Sequence, residues 1–399
     1  MGLLPSRYTP RLVEHMVRLG SKLPFRQAQG EIERFSGLHI GVTTVQRQTQ
    51  QYGAACEAVT AAEVAALEKE GVESGQDGPK LVVSADGCFV ALTTGEWREV
   101  KTVAVGEYEA AWDKQQGQMT VQTRALSTFS RTYGAREFER QALAELTRRG
   151  LAQARQVVAV NDGASWIQSF IDYHAPEAIR ILDFAHAAGY IAKLGKAVLG
   201  EDNPQFPRWF QQQCHNLKHR PAYRNLADLA WFGQQASTLE QQTTVASTLH
   251  YLQQRATMID YPHFRLRGFP IGSGSVESSH KQVVQSRMKQ AGMRWADPHL
   301  NGFLALRNLV VNDRWDEGWL AAATFYRQQR RPTQVQEASP VTPPLTFADV
   351  LVADDCDAPP SIPATSSRPQ NGAWHKSWHK FRLGPPSKWA RYRTQRTDS

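Results

Sequence analysis

Apolar residues along the chain change period several times, and each change marks a different element. Residues 8–51 carry two helical patterns, YTPRLVEHMVRLGSKL and PFRQAQGEIERFSG, then a link, LHIGV, and a third pattern, TTVQRQTQQYG. The helical pattern continues through an Ala/Glu-rich stretch, 54–71, until ESGQDGP breaks it. Between 80 and 107 the period shortens to that of strands. Leu81, Val82 and Val83 form a short buried run, and 88–93 and 100–107 are two further segments rich in β-branched residues. Asp86 is expected where the first strand ends, with Gly87 after it to let the backbone turn. Residues 135–149 return to a helix, with Phe138, Leu143 and Leu146 on one face and Gly150 at its end. Val157, Val158 and Val160 make a fourth strand, with Asp162 at its end before Gly163. A helix at 166–173 and a short strand in AIRILDFAH follow.

The order β-β-β-α-β-α-β predicts an α/β fold, a ribonuclease-H-like mixed sheet in which the first and fourth strands lie side by side and bring Asp86 and Asp162 together. From about 195 to 262 the chain becomes Gln-rich amphipathic helix, with Trp209, Phe210, Leu226, Leu229, Trp231 and Leu252 at helical intervals. This predicts a helical insertion rather than further sheet. A Gly/Ser turn in GFPIGSGSVESSH then opens a helix with Glu277 in its first turn, Ser273 or Ser275 as its cap, and Lys281, Val284 and Met288 along the same face. Helix resumes at 297–320. The expected domains are an all-α, helix-turn-helix-like region at 1–75 and a catalytic domain at 76–330. A Pro/Ser/Thr-rich linker at 331–370 and a basic aromatic tail at 371–399 follow. In the first region Gly41 sits in the turn, Thr43 or Thr44 caps the next helix, and Gln46, Arg47 and Gln48 stand near its start. That is the shape of a DNA reader, and equally of a helical hairpin used for packing or dimerisation.

Composition narrows the partners. The 399 residues are 41% hydrophobic and include 11 Trp, which favours a globular chain, and 46 basic against 38 acidic residues leave a net charge of +8, which suits a polyanion. Four cysteines without a CxxC pair give neither a disulfide framework nor a cysteine-rich zinc site, so a reducing, cytoplasmic setting is expected. No opening signal-peptide pattern is present, and LNGFLALRNLVV is too short and too polar to cross a bilayer. Cys214, His215 and His219 lack a fourth ligand and read as packing and surface residues. His375 and His379 in the tail segment WHKSWHKFR offer either a backbone-phosphate grip, a metal pair or no special role.

Two strand-end aspartates and a helix-start glutamate match what a two-metal phosphoryl-transfer site requires, with Mg²⁺ or Mn²⁺ held by carboxylate oxygens. A glycosidase also needs paired carboxylates, but its usual mechanism uses no metal, and the basic charge argues against a sugar substrate. On these residues the chain resembles the DDE transposases of bacterial insertion sequences, most closely the ISKra-type group, itself similar to the Mutator-like assemblage. SADG at 84–87, NDGASW at 161–166 and GSGSVESSH at 272–280 resemble its three catalytic motifs, and RMKQAGMRW at 287–295 its following stretch. The resemblance implies Asp86, Asp162 and Glu277 as a catalytic triad holding two Mg²⁺ or Mn²⁺ ions. It implies Asp183 and His186 as a D-x-x-H signature, and a bacterial, nucleoid-associated enzyme that cleaves and joins DNA at the element's ends. Many related integrases carry Lys or Arg seven residues after the glutamate, where this chain has Val284, so Lys281 or Arg287 is a candidate for the phosphate-positioning role. Arg47, Lys281, Arg287 and Lys289 are the expected DNA contacts. Trp166 and Trp295 are candidates for base stacking, or for core. Terminal repeats, target DNA and a second copy of the chain are the expected partners. A DNA-binding repressor without catalysis and a structure-specific nuclease are the competing readings.

Overall fold

The computed structural model describes residues 8–114 and 118–329, so the expected linker and basic tail lie outside the described residues. In chain order the elements are α1 (Pro10–Lys22), α2 (Phe25–Ser36), α3 (Val42–Glu70), β1 (Gly78–Ala91), β2 (Trp97–Asp113) and β3 (Gln118–Arg131). Next come α4 (Ala135–Arg148), β4 (Ala154–Asn161), α5 (Ser165–His174), β5 (Ile179–Leu182) and α6 (Phe184–Leu199). The remainder is helical: α7 (Phe206–His219), α8 (Ala222–Gly233), α9 (Leu239–Gln253), α10 (Tyr261–Leu266), α11 (Gly274–His280), α12 (Ser286–Met288), α13 (Leu300–Val311) and α14 (Trp315–Gln329).

The five strands form one mixed sheet in the order β3-β2-β1-β4-β5. β1, β2 and β3 are antiparallel neighbours, while β4 lies parallel to β1 and β5 parallel to β4. The first and fourth strands are therefore adjacent, as expected. Their boundaries differ from expectation. β1 runs unbroken through Asp86 and Gly87, which pair with Thr102 and Lys101 of β2, so the expected first two strands are one. The expected third strand is β2, and β3 was not foreseen. An Asp-Gly pair reads as a turn in isolation, but here β2 supplies hydrogen-bond partners on both sides of it and keeps the chain extended. A Cβ at Gly87 would stand 2.4 Å from the Glu99 carboxylate, the flexible end of a side chain that would have to shift to admit it.

Alternation along the strands separates two faces. Leu81, Val83, Val103, Val105 and Phe129 pack against Phe138 and Leu146 of α4 and Ile167 and Phe170 of α5, each fully buried side chain contributing roughly 1.5–3 kcal/mol. On the opposite face, Val82, Val158, Val160 and Ile181 are covered by the helical insertion through Ile191, Leu217, Leu229, Leu252 and Phe264. Nearer β3 this face turns small and polar. Ser84, Ala104 and Thr128 lie in one row across β1, β2 and β3, and α11 packs on it with the Ser279 hydroxyl 2.7 Å from that of Thr128. No helix among the described residues is long and apolar enough to cross a membrane.

The helices α1–α3 have no core of their own. Val13, Met16, Ile32, Val45 and Tyr52 join one apolar cluster with Leu306 of α13 and Trp315 and Ala322 of α14. Residues 72–77 thus separate helix from strand, but not one core from another. An amphipathic stripe announces that something will cover it without saying what. α3 begins at Gly41 with no side-chain cap, so Thr43 and Thr44 lie in its first turn rather than before it. It crosses α13 at two glycines. A Cβ at Gly53 would stand 2.8 Å from the Gly302 carbonyl carbon, and one at Gly302 would stand 2.7 Å from the Ala54 nitrogen. Helix propensity favours Ala over Gly by about 1 kcal/mol, but two facing backbones cannot yield, and overpacking of this kind costs about 1–3 kcal/mol. Gly53→Ala is therefore expected to lower the urea midpoint of unfolding, and a raised midpoint would refute the crossing.

Burial depresses the His174 imidazole to about 4, partly opposed by its hydrogen bond to the Glu139 carbonyl at 2.8 Å. Below its ordinary value near 6.5 the unfolded chain binds a proton that the folded chain refuses. Stability should thus be complete above about pH 6.5 and fall toward pH 4, by up to about 3 kcal/mol at this site. Denaturation of wild type and His174→Gln between pH 4 and 7 should show the slope in the first and a flatter curve in the second.

Candidate functional site

The parallel ladder of β1 and β4 pairs Leu81 with Val157 and Val83 with Ala159, where it ends. The buried Asn161 side chain makes a further link, its Oδ1 accepting the Ala85 N–H at 2.5 Å. Asp86 follows Ala85 within β1, and Asp162 follows Asn161 just past the end of β4, so the two aspartates flank this link.

Each carboxylate is oriented locally. Asp86 Oδ1 accepts the Gly87 N–H at 2.7 Å, and Oδ2 lies 3.4 Å from Nδ1 of His280, with the Asp86 side chain 39% exposed. His280 is buried, and its Nε2 has no partner. Asp162 Oδ1 accepts the Ala164 N–H at 2.9 Å, and its main-chain carbonyl accepts the Tyr251 hydroxyl at 2.7 Å. Gly163 adopts φ +81°, a left-handed conformation that explains the glycine after this aspartate. Burial pushes the neighbouring Cys88 thiol up to about 11, opposed by the charge of Lys289 and assisted by those of Asp86 and Glu99. Lys289 is exposed, and its charge is felt at the Asp86 end of β1.

Glu277 stands exposed on α11, one turn before His280. Among the described residues no three His, Cys, Asp or Glu side chains are gathered to hold a metal ion. The expected shared face also fails. Glu277 and Lys281 are exposed, whereas Val284 and Met288 are buried, because residues Lys281–Gln285 form a π-helical turn whose wider winding shifts the later residues around the axis. Arg287 is consequently buried and not a DNA contact. Its guanidinium lies about 5 Å from the rings of Phe25, Trp295 and Phe303 and donates to the Gly20 carbonyl at 3.3 Å, while burial pushes it down to about 10. Lys281, Lys289 and Arg47 remain exposed.

Asp183 serves as an anchor. It caps α6, with Oδ2 accepting the His186 N–H at 3.0 Å, and its Oδ1 accepts the Ser273 N–H at 2.8 Å, tying the Gly/Ser turn before α11 to the end of β5. The D-x-x-H spacing is thus explained by the main-chain N–H of His186. Its ring packs on Tyr190 and Tyr251, with centroids 5.3 and 6.1 Å away. Trp166 packs edge-on against Phe138, with the Lys101 ammonium 5.7 Å from its ring, and Trp295 is buried with its indole N–H donating to the Met288 carbonyl. Trp295 is therefore core, whereas Trp166 is half-buried. His215 and His219 stack on one another on α7 without forming a metal group. The sequence reading missed three residues at the site. His280 was within reach, since it closes the motif that contains Glu277. Tyr251 and Arg255 lie in or just beyond a Gln-rich helix, without a local signal.

A hard divalent ion keeps several waters and is commonly held by only one or two protein carboxylates plus substrate phosphate. Asp86 and Asp162 carry the donor type that Mg²⁺ or Mn²⁺ takes. The chain matches no protein-family model and no curated protein sequence. Asp183→Ala should cost about 2–4 kcal/mol, from a lost cap and an orphaned buried N–H, and should speed hydrogen exchange at 271–277 specifically. Unchanged protection of that segment would show that the turn is held by something else.

Proposed function

We propose that this chain is a DDE-type DNA transposase built on a ribonuclease-H-like sheet, cleaving and joining DNA at the ends of an insertion sequence with Mg²⁺ or Mn²⁺. The observation that supports this reading is that β1 and β4 are parallel neighbours linked by Asn161 Oδ1 and the Ala85 N–H, with Asp86 and Asp162 the next residues after that link. In this reading the two distant motifs supply one oxygen-ligand pair. The resemblance of the three motifs supplies the substrate class.

In this reading Asp86 and Asp162, with Glu277, would hold the divalent ions, whose chemistry when bound would be Lewis-acid assistance to the attacking water or 3′-hydroxyl and to the leaving 3′-oxygen. The protein holds the ligands still. Asp86 is fixed by the Gly87 N–H and faces His280, Asp162 is fixed by the Ala164 N–H, and neither has to find its rotamer during the reaction. Glu277, one turn from the residue that faces Asp86, is the third acid of the proposal. The exposed Lys281 and Lys289 lie after it, placed to attract a DNA backbone. Arg47 is exposed near the start of α3, where the α2–turn–α3 unit would meet the terminal repeats. Cytoplasmic action on the nucleoid, as a homo-oligomer joining two ends, completes the reading.

Purified full-length protein should nick a labelled duplex carrying the flanking inverted repeat in Mg²⁺ or Mn²⁺ but not with chelator. Asp162→Ala should reduce the rate at least about 100-fold. Tight binding of the repeat without cleavage in any metal would replace the enzyme by a repressor.

A further inference from the structure

Val284 is buried and Arg287 is enclosed by aromatic rings, so neither presents a charge at the Asp162 loop. Arg255 stands two residues past the end of α9. Its guanidinium carbon lies 3.8 Å from the centre of the Tyr251 ring, and Tyr251 stacks in turn on Tyr190 of α6 at 3.9 Å and an interplanar angle of 6°. The Tyr251 hydroxyl is bonded to the Asp162 carbonyl, and the guanidinium donates to the Gly163 and Tyr251 carbonyls at 3.2 and 3.3 Å. A ladder of Tyr190, Tyr251 and Arg255 is thus clamped onto the loop that bears Asp162. Gly163 makes room for it, since a Cβ there would stand 2.8 Å from both the Arg255 Nε and the Tyr251 hydroxyl.

Resting on the transposase reading above, we propose that Arg255 binds the phosphodiester at the reacting end of the DNA strand. A guanidinium has five N–H donors, and two bonds to carbonyls leave Nε–H and one hydrogen on each terminal nitrogen. No carboxylate pairs with Arg255 among the described residues, Asp162 included. The charge is half-buried and held by stacking against the loop that bears Asp162. A phosphate matches both the charge and the planar fork. The helical insertion therefore contributes a substrate contact as well as covering the sheet.

The test uses full-length protein and a labelled duplex bearing the element's terminal sequence. Nicking by wild type in Mn²⁺ first locates the reacting phosphate, which is then replaced by a neutral methylphosphonate. Affinity for both duplexes is read by fluorescence anisotropy in Ca²⁺ for wild type, Arg255→Ala and Arg255→Lys. Wild type should lose about tenfold or more in affinity on neutralisation, and Arg255→Ala should lose as much on the natural duplex with no further loss on the methylphosphonate. Arg255→Lys, which keeps the charge without the fork, should fall between them, and Mn²⁺ affinity without DNA should be unchanged in both variants. Losses that multiply, or weakened Mn²⁺ binding without DNA, would overturn the assignment and show that Arg255 only braces the Asp162 loop. The transposase reading would survive that result. Absence of nicking by wild type in either metal would remove that reading, and this contact with it.

Discussion

A single side chain holds the site together at the place where regular pairing stops. β1 and β4 share hydrogen bonds only as far as Val83 and Ala159, and the last tie between them is Asn161 Oδ1 accepting the Ala85 N–H. The Asn161 main-chain carbonyl also accepts the Asp183 N–H, so this buried residue bridges β1, β4 and the end of β5 at once. Asp86 and Asp162 are the next residues after this link, the first within β1 and the second just past the end of β4.

The helices around this edge hold what the strands present. Asp183 ties the Gly/Ser turn to β5, and α11 then lies across the small side chains of Ser84, Ala104 and Thr128, bringing His280 to Asp86. The π-helical turn after α11 leaves carbonyls without their usual helical donors, and Arg307 of α13 supplies replacements, donating to Gln282 and to Val283. Arg307 also donates to the Ser21 carbonyl, as Arg287 does to that of Gly20. Two buried guanidiniums thus join the end of α1 to the helix that follows Glu277. Whatever α1–α3 bind, their position and that of Glu277 rest on common supports.

Much of this architecture was legible in the chain. The apolar runs at 81–83 and 157–160 are strands, the Gln-rich stretch is helical, and the strand-helix alternation predicted that β1 and β4 would be neighbours. The two aspartates followed from that adjacency. Less legible was anything that depended on a partner strand or on a change of winding. Asp86-Gly87 looks like a turn until β2 pairs across it, and Val284 and Met288 share a face with Glu277 only if the helix keeps an α-helical period.

The sequence by itself determined most of the strands and helices, β3 and the continuity of β1 apart, because hydrophobic period and turn residues act over a few neighbours and need no knowledge of what lies across the fold. It also placed Asp86 and Asp162 on neighbouring strands through chain order alone. Only the tertiary structure decided which arginine lies beside the Asp162 loop. Arg287 sits in a motif and is buried among rings, while Arg255 has no motif and is stacked beside Asp162. The physical reason is that an arginine's environment is set by the elements that pack against it, here α1 and α13 for one and α6 and the β4–α5 loop for the other. Those contacts join residues distant along the chain, which no local pattern records.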